Sequence, residues 1–187
     1  MSLLIVYRTK TDAWAIYDSF IGGEDEMYLS STPKAYKDSG GGIIGAVGYV
    51  RAINIASDFS VGSPSPREVQ ASLVAWKAEE EDDEEGADES EIVLVWPGRQ
   101  IVSVSRSGYW SPMEDWYAAG SASDMARGYL AALPPTSPKD FVTCAKAITK
   151  ISPHVKEPIH TLHVSLTPKT TKKRAVKKVE TSVTQVD

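Results

Sequence analysis

Ser2 is the residue with the most direct chemical use in this chain. A serine that becomes the terminus on loss of Met1 carries its own base, because the freed α-amine can accept the hydroxyl proton. An unperturbed α-amine titrates near about pH 8, and a neighbouring ammonium lowers that value by like-charge repulsion, so a useful neutral fraction exists at neutral pH. Nucleophile and base then belong to one residue. Two further residues stand at regular intervals: 16 positions separate Ser2 from Asp18, and 16 more separate Asp18 from Lys34. Singly, each has a plain alternative. Serine is common after an initiator Met, Asp18 can be a strand-end turn residue, and Lys34 a solvated lysine.

The segments around these residues give the intervals a structural meaning. Leu3 to Tyr7 is an apolar run, Arg8 to Asp12 a polar turn and Ala13 to Tyr17 a second apolar run. That is a hairpin signal. It sets the start of the first strand, Ser2, beside the end of the second, Asp18. Lys34 follows Pro33 and leads Ala35-Tyr36-Lys37, which reads as a third strand entering the same sheet. The expectation is three side chains converging at one strand tip, with the Ser2 oxygen within hydrogen-bonding range of Lys34. Beyond a turn at Asp38 to Gly42, Ile43 to Gly48 is an almost fully apolar strand with glycines where backbone must come close to something. The three consecutive glycines Gly40 to Gly42 are explained by turn chemistry alone. Gly48 differs, because it ends a buried strand and begins a helix-like segment, so its N–H could meet a developing oxyanion.

This order of residues resembles the N-terminal-nucleophile hydrolases, specifically the proteasome β subunits and the bacterial HslV peptidase, and most closely the short HslV-like proteins encoded by bacteriophages. In that family the terminal Thr, the Asp closing the second strand and the following Lys keep the two intervals found here. Gly45-Ala46-Val47-Gly48 stands where the family has its Gly-rich strand end and oxyanion-binding glycine. Ala119-Gly120-Ser121-Ala122-Ser123 stands where it has a Gly-Ser turn into a helix. The likeness covers roughly residues 2 to 165. It implies acyl transfer to the Ser2 hydroxyl with the α-amine as base. Lys34 would lower the proton affinity of the nucleophile, Asp18 would hold Lys34, the Gly48 N–H would receive the oxyanion, and Ser121, or alternatively Ser123, would orient the terminal amine. It also implies a peptide or protein substrate, self-association into a homo-oligomer, room for an ATP-dependent unfoldase or other protein partner, and no cofactor. A rival reading of another class is a catalytically silent member kept as an assembly, structural or inhibitory subunit. Near the last strand, where the family has an Asp/Ser-Gly-Gly loop, this chain has Ser152 to Pro158.

The remaining chain supplies the layers such a site needs. Val50, Ile53, Ile55, Ala56 and Phe59 fit one helical face. Ser65, Pro66 and Glu68 read as cap, first position and acidic first turn of a second helix bearing Val69, Leu73 and Trp76. Ile92 to Trp96 and Ile101 to Val104 predict a strand pair about Pro97-Gly98, and Trp116 to Ala119 a short strand. Ser123-Asp124 could cap a helix marked by Met125, Tyr129 and Leu133, and Ser137-Pro138 opens a last helix with Phe141, Ala145 and Ile148. Ile159 to Val164 alternates as a final strand. Strands then two helices, twice over, predict an α+β chain of two sheets packed face to face with a helix pair on each outer side. The family resemblance implies the same four-layer αββα sandwich.

One domain over residues 1–166 accounts for the 187 residues, with an acidic loop over 79–91 and a basic, flexible tail over 167–187. The net charge of -5 sits mostly in these two segments, since Glu79 to Glu91 holds ten acidic residues and no basic one. The near-neutral body has no basic stripe for nucleic acid. No apolar run of 18 residues or secretory leader is present, so neither a membrane partner nor export is expected. The single Cys144 excludes an internal disulfide and suits a reducing cytoplasm. It reads as a packing residue. His154, His160 and His163 lack zinc spacing, and on a strand His160 and His163 face opposite sides. Capping and solvated turns explain Glu114, Asp115 and Asp124, and the five tryptophans are scattered.

Overall fold

The computed structural model describes residues 2–22, 27–29, 32–79 and 90–165. The tail expected over 167–187 and most of the expected acidic loop lie outside these residues. Strands β1 (Leu4–Arg8) and β2 (Asp12–Asp18) form the predicted hairpin, in register Leu4 with Tyr17 and Arg8 with Ala13. β10 (Trp116–Ala119) joins the free edge of β1 and β11 (Ile159–Ser165) that of β2, giving a four-stranded antiparallel sheet in the order β10-β1-β2-β11. β3 (Phe20–Gly22) and β4 (Met27–Leu29) pair separately. The second large sheet takes its strands in chain order: β5 (Ala35–Lys37), β6 (Ile43–Val47), β7 (Glu91–Val95), β8 (Val102–Ser105) and β9 (Gly108–Trp110).

The two sheets bury a shared core. Leu4, Val6, Ala13 and Ala15 from one meet Ile43, Val47, Val93 and Val95 from the other. Strand alternation sends the remaining residues outward onto helices. Ile44, Ala46, Ile92 and Leu94 pack under α1 (Val50–Phe59) and α2 (Pro66–Glu79), through Ile53, Ala56, Val69, Leu73 and Trp76. On the opposite outside, Leu3, Ile5, Ile16 and Ala118 pack under α3 (Ser123–Ala132) and α4 (Pro138–Ile148). The result is the four-layer αββα sandwich. α2 begins as its sequence predicts: the Ser65 N–H donates to Glu68 Oε2 at 2.7 Å and the Glu68 N–H to Ser65 Oγ at 3.3 Å. Among the described residues no helix is long and apolar enough to cross a membrane.

Three expectations change. Ala35 to Lys37 does not join the sheet of the first hairpin; β5 pairs with β6 and belongs to the facing sheet. The tandem halves read from the sequence are not the layers, because the first hairpin shares its sheet with β10 and β11 and is covered by the last two helices. In α3 the buried stripe is Ala122, Ala126 and Leu130, while Met125 and Leu133 are exposed; Ala122 is the N-cap, and no side chain caps the helix. Small residues let α3 lie close to the sheet, so the large residues of its periodic pattern end up outside.

Candidate active site

The hairpin places Asp18 against the start of the chain. The Asp18 N–H donates to the Leu3 carbonyl at 3.3 Å, and the Leu3 N–H donates to Asp18 Oδ1 at 2.9 Å. Lys34 reaches the same oxygen from the facing sheet: its Nζ lies 2.7 Å from Asp18 Oδ1, and its carbonyl accepts from the Ala46 N–H at 2.8 Å. Lys34 is 1% exposed and Asp18 0%. Taking two such charges from water costs several kcal/mol per ion, offset only by close pairing and further hydrogen bonds. A further bond comes from the loop before β11, where the Lys156 N–H donates to Asp18 Oδ2 at 3.5 Å. Burial pushes the Lys34 ammonium below the ordinary lysine range, outweighing the charge and hydrogen bond of Asp18, which act in the other direction.

Ser2 is also buried, and its backbone is fixed at several points. Its N–H donates to Ser121 Oγ at 3.0 Å, and its carbonyl accepts from the Ala122 N–H at 3.4 Å and from Ser121 Oγ at 3.5 Å. Gly120 has φ +91°, and a Cβ there would run into the Ser2 carbonyl oxygen. The turn after β10 therefore has to carry a glycine for Ser2 to lie on it. The Ser2 side chain is less constrained. Its Oγ has no hydrogen-bond partner among the described residues, so the expected contact with Lys34 is not made. Lys34 Nζ is bonded to Asp18 instead, and a serine lacks the β-branch methyl that restricts χ1.

Gly48 follows β6 with φ +99°, just before the N-cap Tyr49 of α1. With Ser2, Gly120 and Ser121 from one sheet and Val47 and Glu91 from the other, it lines an open cleft of about 380 Å³. Four of the five residues singled out from sequence, Ser2, Lys34, Asp18 and Ser121, are thus linked through direct bonds or one intervening residue, and Gly48 faces the same cleft as Ser2. Between the two candidate serines the bonding separates Ser121, which holds the Ser2 nitrogen, from Ser123, which lines the cleft and starts α3. The Lys156 amide could not have been found by residue type, since any non-proline residue supplies an N–H. Glu91, read as the end of the acidic block, is the first residue of β7.

Other chemistry is weaker. His160 Nε2 lies 2.6 Å from Ser19 Oγ, and His163 Nε2 lies 2.9 Å from Asp12 Oδ1. No group of three potential metal-binding His, Cys, Asp or Glu residues occurs among the described residues. Cys144 is buried, and its thiol is pushed up to about 11 by that burial.

No protein-family model matches this chain, and no curated protein matches it by sequence. Solved structures do. A Thiobacillus denitrificans protein, BPH, is 18% identical with a TM-score of 0.65 over 89% of this chain and 99% of its own. Eukaryotic HslV from Trypanosoma brucei is 16% identical with a TM-score of 0.58 over 86% of this chain and 98% of its own. Anbu, the ancestral β-subunit from Yersinia bercovieri, is 9% identical with a TM-score of 0.67 over 87% of this chain and 81% of its own. The chain has the proteasome-like N-terminal-nucleophile hydrolase fold.

Proposed function

We propose that this chain, on that fold, is a peptidase whose nucleophile is Ser2, active once the bond preceding Ser2 has been cut. The observation that carries this reading is the buried Lys34–Asp18 ion pair set one residue from Ser2. Cleavage turns the Ser2 amide into an α-amine beside Ser121 Oγ. The amine takes the hydroxyl proton as Oγ attacks a peptide carbonyl, and the tetrahedral oxyanion is received by the Gly48 N–H. The amine then gives the proton to the leaving nitrogen, leaving an ester that water hydrolyses by the reverse proton path. The Lys34 ammonium favours the neutral amine and the deprotonating oxygen, and Asp18 fixes the ammonium in place.

The resemblance that runs through roughly residues 2 to 165, nearest to short phage-encoded relatives, carries the accompanying expectations. These are peptide or protein substrates, a homo-oligomer, an ATP-dependent unfoldase or another protein as partner and a cytoplasmic setting. The exposed Met125 on α3 and Leu133 at its C-cap support self-association through a helical layer. The test has two parts. Intact mass shows whether Ser2 is the terminus, and hydrolysis of small peptides is then compared between the native protein and Ser2→Ala. Loss of hydrolysis in the variant is expected; an unchanged rate overturns the assignment. The unbonded Ser2 Oγ favours a second reading, a silent structural subunit. Full retention of the preceding residue in protein from cells with working aminopeptidase supports that alternative.

A further inference from the structure

Glu91 occupies a position the mechanism does not use. It pairs with Val47, the residue before Gly48, and alternation along β7 puts it on the same inward face as Val93 and Val95. Those valines lie in the dry core between the sheets, whereas Glu91 stands at its open end, in the cleft that Ser2 also lines. Among the described residues it is the one charged residue lining that cleft. Ser103 Oγ donates to the carboxylate from β8 in the same sheet, and the Tyr117 hydroxyl of β10 in the facing sheet is pushed up by burial and by the negative charge of Glu91. No lysine or arginine among the described residues makes an ion pair with it. Arg127, whose guanidinium sits 5.3 Å from the centre of the Tyr117 ring, is bonded instead to Asp124 at 3.3 Å and to the Ala118 carbonyl at 3.0 Å.

A carboxylate held by a neutral donor, with acceptor capacity left over and no ion-pair partner among the described residues, is suited to receive a cation from outside. We propose that Glu91 makes the cleft select peptides carrying a lysine or arginine side chain next to the scissile bond. This rests on the peptidase reading for its catalytic consequence. The carboxylate itself touches no reacting atom; it acts as a specificity residue. The bond from Ser103 holds the charge in place before substrate arrives, so little ordering is needed on binding.

The test uses full-length protein with Ser2 at its terminus and matched peptides that differ only beside the scissile bond, with Lys, Arg, Leu or Glu there. The expected kcat/KM for the basic peptides exceeds that for Leu by roughly ten- to a hundredfold, the worth of a charge-assisted hydrogen bond, with Glu peptides poorest. Glu91→Gln keeps the shape and is expected to bring the basic-to-Leu ratio to within about threefold. Raising salt lowers the ratio in the native protein, a readout that needs no variant. Equal native rates on basic and Leu peptides overturn the proposal, as does a ratio unchanged in Glu91→Gln; either result leaves Glu91 as a partner of Ser103 within its own sheet. Binding of the same peptides to Ser2→Ala separates this proposal from the one above. Charge-selective binding that Glu91→Gln removes supports Glu91 even where no peptide is hydrolysed, and binding indifferent to charge overturns it.

Discussion

Asp18 and Asp38 are both buried aspartates at strand ends, and they are held in different ways. Asp38 is satisfied by neutral donors: the Gly42 N–H bonds Oδ1 at 2.6 Å and the Trp96 indole N–H bonds Oδ2 at 2.8 Å, closing the turn between β5 and β6. Asp18 has amide donors too, from Leu3 and Lys156, yet it also faces a lysine that is itself removed from water. The Asp38 turn demonstrates that this fold can bury a carboxylate with dipoles alone. An aspartate buried at this fold's strand ends can thus be met without a lysine, and the desolvation of Lys34 is a cost that, under the peptidase reading, makes sense because its charge acts on Ser2.

The largest effect that tests this contrast is on hydrolysis. Ser2→Ala is expected to lower peptide turnover by about 10⁴-fold or more while urea unfolding stays close to native, because only one oxygen is removed. Lys34→Met should abolish turnover as well and cost about 3–5 kcal/mol in the same unfolding measurement, since Asp18 is left charged and unpaired. Adding Asp18→Asn to Lys34→Met should restore stability to near native or above, with turnover still absent; a double variant as unstable as the single one would mean that the ion pair holds the fold together.

The pH profile follows from the direction of the Lys34 shift. Turnover should rise as the terminal amine loses its proton and fall as Lys34 loses its own, because neutral lysine exerts no field. Burial lowers the folded value, so the alkaline limb should lie below the ordinary lysine range near 10.5, measurable as kcat/KM against pH. Gly120→Ala should cost at least about 1–2 kcal/mol from its positive φ, and should displace Ser2 as well, lowering turnover. Asp38→Asn completes the contrast as the mildest change, about 1–2 kcal/mol in unfolding with turnover near native.

Much of the site could be read from the chain because it depends on local rules. The polar turn Arg8 to Asp12 between two apolar runs sets the register that brings Asp18 to Leu3, and the interval to Lys34 is a count. What could not be read depends on packing at a distance. Which sheet receives Ala35 to Lys37 is decided by the partner strand β6, and the short segment is compatible with either. The stripe of Met125, Tyr129 and Leu133 misled because periodicity is weighted by size, whereas closeness of α3 to its sheet selects Ala122 and Ala126 for the inside. The Lys156 amide leaves no trace in residue type. Glu91 was obscured by its neighbours, a run of acids in which one that enters a strand looks like the rest.

Ser2 and Asp18 are carried by one sheet, Lys34 and Gly48 by the other, and only the face-to-face core keeps the four in a common frame. A slip of one sheet past its neighbour by a single residue, about 3.3 Å, would part lysine from aspartate. Under the peptidase reading, a nascent or heat-loosened copy is thus harmless to the proteins around it. On that reading, docking of the two sheets is a precondition of cutting, alongside the release of the Ser2 amine.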